Sequence, residues 1–82
     1  MRIQISKKDC YTSAFSLLVN GKIPDKILDD YINDVDDSYT ALADYVVNNI
    51  KKEISKWSTA IGIIEAVDSI YNCAVENGNI QH

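Results

Sequence analysis

Apolar residues return every three or four positions along most of this chain, and the breaks in that rhythm divide it into helices. Tyr11, Ala14, Phe15 and Leu18 recur at helical spacing, which predicts a helix over 7–19. Ser6-Lys7-Lys8-Asp9 in front of it has the form of a capping box with a shorter acid. The Ser6 hydroxyl is expected to accept from the amide three residues on while Asp9 reaches back. Asn20-Gly21 is expected to end the helix, with glycine taking the left-handed position after the last turn.

A second helix is predicted over 24–35, with Pro24 suited to its first turn. Pro24, Ile27, Leu28, Tyr31, Ile32 and Val35 fall within one arc of about 140°. Asp25, Lys26, Asp29, Asp30, Asn33 and Asp34 fill the other side. Asp36-Asp37-Ser38 then supplies capping residues for a restart.

From Tyr39 onward the apolar positions Leu42, Val46, Ile50, Ile54, Trp57, Ile61, Ile64, Val67, Tyr71 and Ala74 never lose phase. Two structures satisfy this. One is a hairpin of helices over 38–55 and 58–77, turning near 55–59. The other is a single helix of about 40 residues, roughly 60 Å long. Unbroken phase favours the long helix, and compactness favours the hairpin, which is the narrowly preferred reading. Ile63 and Ile70 widen the apolar arc late in the chain, which implies burial by a bundle neighbour or a second subunit. Residues 1–5 alternate apolar and polar, as a short strand does, but need a partner in the 78–81 tail or another molecule. The expected fold is therefore all-α. It is a small antiparallel bundle of three or four helices in one domain over 1–82, with the N-terminal strand as an option.

At 82 residues the chain is near the low end of what folds alone. Its 46% hydrophobic content argues against disorder. Twelve acids against eight bases give a net charge of −4, which removes the usual electrostatic drive for direct nucleic-acid binding. No apolar run is long enough to span a membrane, and the N-terminus lacks a signal-peptide pattern, so a cytoplasmic protein is expected. Cys10 and Cys73 are then expected as buried free thiols. Two thiols and His82 lack the paired spacing of a zinc site. Asp34, Asp36 and Ser38 begin like a calcium loop, but Tyr39 and Tyr45 stand where glycine and glutamate are needed. No metal and no cofactor are expected.

The acids are unevenly spread. Asp25, Asp29, Asp30, Asp34, Asp36 and Asp37 are half of the total, although helix propensity does not ask for aspartate. Either they form a solvated face, with Asp36 and Asp37 as caps, or they form a docking surface for a basic groove. Tyr45 lies at the edge of its apolar arc beside Asn49 and Lys52 and is a candidate interface anchor. Catalysis has little material: His82 is the lone histidine, so no Ser-His or Cys-His pair has an ordered base. The chain is not expected to be an enzyme.

Asp37-Ser38-Tyr39 opens a helix, and Tyr31-Ile32-Asn33-Asp34-Val35 precedes it. These roughly 20 residues resemble the acyl carrier proteins, whose Asp-Ser-Leu serine carries phosphopantetheine at a helix N-terminus. That resemblance implies a carrier modified at Ser38. Here no glycine precedes Asp37, Tyr39 replaces an aliphatic residue, and a helix is predicted in place of the family's long first loop. Ser38 as a plain capping hydroxyl is the competing reading. In size, acidity and the 18–31 run the chain is also loosely similar to helical bacteriocin immunity proteins.

The leading expectation is a non-enzymatic protein-binding inhibitor: an immunity protein, an antitoxin, or a phage-encoded anti-defence (anti-CRISPR-like) protein. Its acid face would occlude the nucleic-acid-binding surface of a basic protein such as a nuclease. The alternatives are the Ser38 carrier and a structural helical dimer.

Overall fold

The computed structural model describes residues 5–51, 57 and 59–78. Among them are four helices: α1 (Lys7–Val19), α2 (Asp25–Ile32), α3 (Ser38–Asn49) and α4 (Ala60–Glu76). Of the N-terminal strand and the tail expected to pair with it, residues 1–4 and 79–82 lie outside the described residues.

α1 starts where its cap predicts. The Ser6 hydroxyl accepts from the Asp9 amide at 3.1 Å, satisfying one of the donors that a helix N-terminus leaves free. Its end differs in detail: Asn20, not Gly21, takes the left-handed conformation (φ 51°, ψ 40°). Asparagine tolerates that region because its short side chain bonds locally.

α2 stops at Ile32, three residues short of the predicted end, because Asp34 turns left-handed with φ 55°. The Asp34 amide donates to the Tyr31 carbonyl at 3.3 Å and the Val35 amide to the Asp30 carbonyl at 3.0 Å. This pair of bonds is a Schellman closure, built on aspartate where glycine is usual. Asp37 is the second left-handed residue of this connection (φ 64°) and precedes α3 without any side-chain capping bond. The capping role expected of Asp37 is therefore carried by backbone geometry alone. Asp36 sits exposed in the turn.

The long-helix alternative for 38–77 does not occur. α3 ends at Asn49, and Thr59 is extended (φ −153°, ψ 160°) with its hydroxyl accepting from the Gly62 amide. The molecule's longest dimension is 39 Å, well short of the roughly 60 Å that a 40-residue helix needs. Most of the turn expected at 55–59 lies outside the described residues.

The bundle closes around one core. α1 packs on α4 and α2, and α3 packs on α2 and α4. Phe15, Leu28, Leu42, Val46, Ile63, Ile64 and Val67 are fully buried at its centre. Trp57 packs against the cluster from its edge. Leu28 is the one fully buried residue of α2, so this eight-residue helix, too short to persist alone, is held chiefly by that contact and its partly buried neighbours.

Candidate functional site

The acid cluster divides into two halves. On the α2 side facing α1, Lys8 reaches between Asp25 at 3.6 Å and Asp29 at 3.3 Å. Its ammonium is pushed above the ordinary lysine value, first by the hydrogen bond to Asp29 and then by the charge of Asp25. Lys26 pairs with Asp30 at 3.3 Å, one turn along the same helix. Exposed pairs of this kind contribute little to stability, but they do neutralise charge.

Asp34, Asp36 and Asp37 form the other half. All three are exposed on the α2–α3 connection, and among the described residues no cation lies within ion-pair distance of them. The Schellman turn and the left-handed Asp37 hold this backbone in a fixed, compact loop. The six acids thus sit on α2 and the loop that follows it, and the three without an ion-pair partner among the described residues all lie in the loop.

The other singled-out residues lie elsewhere. Tyr45 is partly buried, packs against the core, and donates its hydroxyl to the Lys22 carbonyl at 3.3 Å. It braces the α1–α2 connection against α3. Ser38 is only 8% exposed, and its amide donates to the Val35 carbonyl. A carrier serine has to present its hydroxyl to a modifying enzyme, and this one is covered. Both cysteines are free, and Cys10 is buried, which raises its thiol. Cys73, expected buried, is exposed, because it lies about 180° around α4 from the buried Ile64. Among the described residues, no three acidic, histidine or cysteine side chains gather as a metal site would require.

Sequence reasoning missed the Asp68 carboxylate on α4, the side chain that joins the most helices by hydrogen bonds among the described residues. Tyr11 of α1 donates to it at 2.7 Å and Tyr31 of α2 at 2.9 Å. Tyr71 packs on Tyr11 with ring centroids 5.4 Å apart, and Tyr39 of α3 lies 6.3 Å from Tyr31. The Lys7 ammonium stands over the Tyr71 ring at 5.1 Å, a favourable cation–π placement. Burial, then the bond to Asp68, push both phenols well above their ordinary range. They remain protonated donors at neutral pH, and their bonds to Asp68 tie α1 and α2 to α4. A signal for it was present: Asp68 stands four residues after Ile64 and three before Tyr71, in phase with the buried arc.

Compared with known proteins, the chain matches no family model, no curated protein sequence and no solved structure.

Proposed function

We propose that the chain is a non-enzymatic protein-binding inhibitor of the immunity-protein, antitoxin or phage anti-defence kind, working in the cytoplasm. Its antiparallel bundle would serve as a rigid mount for acids that cover a basic, nucleic-acid-binding surface on a target such as a nuclease. The observation that carries the reading is the exposed Asp34, Asp36 and Asp37 triad, free of cation partners among the described residues and fixed by a left-handed loop. Carboxylates held this way keep their field for a partner and steer its approach. Asp25, Asp29 and Asp30 extend the surface along α2. Tyr45, half-buried on α3 with its hydroxyl bond at the surface, would add an anchor at the rim of the contact. The carrier alternative loses ground because Ser38 is covered.

The test is native mass spectrometry of the full chain purified gently from cells that encode it, repeated with Asp34→Asn, Asp36→Asn and Asp37→Asn combined. Asparagine keeps the left-handed preference and removes the charge. The expected result is a basic, nucleic-acid-handling protein at fixed stoichiometry, lost in the triple variant and weakened by salt. Binding that ignores both salt and the three substitutions would sink the mechanism.

A further inference from the structure

The flank of α1 turned away from α2 bears an apolar surface that the acid-face reading leaves unused. Ile5, Ser13, Ala14 and Leu17 meet Ile70 and Ala74 of α4 around an open hollow of about 340 Å3. Small side chains (Ser13, Ala14, Ala74) make the space. At its wall stands Leu17, 80% exposed, the most exposed large apolar residue among the described residues. Among the described residues, no carboxylate and no ammonium lines the hollow. At 100° per residue Leu17 lies about 180° around α1 from Lys8, so this surface and the Asp25–Asp29 side occupy opposite flanks of one helix.

We propose that this face is the contact between two copies of the chain, with Leu17 of each seated in the hollow of the other across a twofold axis. A twofold contact uses the same patch twice, so that patch must carry both a projection and a recess. Leu17 and the space beside Ser13 supply them one helical turn apart. Charge selects the occupant further. Each copy carries a net −4, so two copies repel wherever carboxylates meet. They approach at least cost on an uncharged patch on the flank opposite the paired acids of α2. A small apolar ligand fits less well, because ligand pockets enclose most of their occupant and this hollow is open with Leu17 at its side. The proposal does not rest on the inhibitor reading. It leaves both acid faces outward, so a dimer would present them as a pair.

Sedimentation equilibrium of the full chain, from micromolar to millimolar, tests it. The expected mass rises from one chain toward two, and added salt preserves or strengthens the association, the opposite of its effect on an acid-face complex. Leu17→Glu is expected to weaken association about 30-fold or more, as loss of a central apolar anchor does. Leu17 is exposed, so the circular dichroism of that variant should match the parent. Ser13→Trp fills the recess and should weaken association from the other half of the contact. A single-chain mass at every concentration overturns the proposal, as does a dimer indifferent to both substitutions. A monomer whose hollow takes up dodecanoate overturns it as well and assigns the surface to a small ligand.

Discussion

The hydroxyl of Tyr11 donates a 2.7 Å hydrogen bond to the carboxylate of Asp68, 57 residues later in the chain. Tyr31 donates to the same carboxylate, so one acid on α4 fixes both α1 and α2. Hydrogen bonds to charged acceptors contribute more than neutral ones, about 1.5–3 kcal/mol. Tyr11→Phe keeps the ring against Tyr71 and removes the donor, while Tyr31 still serves the carboxylate. The expected loss is therefore about 1–2 kcal/mol, read as a lower urea midpoint with an unchanged slope. In a double-mutant cycle with Asp68→Asn, Tyr11→Phe should cost clearly less than it does alone. Full additivity would show that the bond contributes nothing.

The same contacts set an alkaline limit. Unfolded, the two phenols ionise near pH ~10, whereas folded they are held well above their ordinary value by burial and by Asp68. Below that ordinary value both states keep the protons and the tie contributes fully. As pH rises past it, only the unfolded chain releases them, so stability falls. Urea midpoints should decline from about pH 9 upward on this account, and the decline should be shallower in the Tyr11→Phe, Tyr31→Phe double variant. Tyrosinate absorbance should show these two phenols ionising only together with unfolding. An equally steep decline in the double variant would remove the tyrosines as its cause.

Asp34 is expected to limit the stability of the α2–α3 turn. It occupies the left-handed position of the Schellman closure, where an L-residue costs roughly 1–2 kcal/mol, less for aspartate or asparagine. Asp34→Gly should raise stability by about 0.5 kcal/mol, the relief being partly offset by glycine's greater unfolded freedom. Asp34→Val should lower it by about 1–2 kcal/mol. Thermal melts of the pair decide the matter, and a glycine variant less stable than the parent would contradict the strain argument.

That turn also shows which parts of the fold were legible. α1 could be read because Ser6 is a strong cap and its apolar residues keep one phase. The end of α2 could not, because aspartate does there what the pattern assigns to glycine, and Val35 continues the apolar arc beyond the stop. The chain between α3 and α4 carries no proline and lies inside an unbroken apolar phase, so periodicity alone favoured the long helix and only compactness spoke for the hairpin. Among site residues, the outward acids followed from the amphipathic pattern of α2. On α4 the pattern puts Asp68 in phase with the buried arc but does not show what would satisfy a carboxylate there, which is why Asp68 escaped. Its two phenol donors come from helices that only tertiary packing brings beside it.

Lys8 offers a separation of stability from binding. It stands between Asp25 and Asp29 and neutralises part of the surface proposed to meet a basic partner. An exposed pair holds helices together weakly, so Lys8→Gln should lower the melting temperature only slightly, and the difference should fade in high salt. Two carboxylates then lose their internal cation, and the net charge becomes more negative by one. Binding of a basic probe such as an oligolysine peptide should therefore tighten several-fold at low salt, with a faster association rate. Asp29→Asn should move binding in the opposite direction. If Lys8→Gln instead weakens the probe's binding, the bridge serves to shape the surface rather than to mask it, and the carboxylates act only when α2 is pinned to α1.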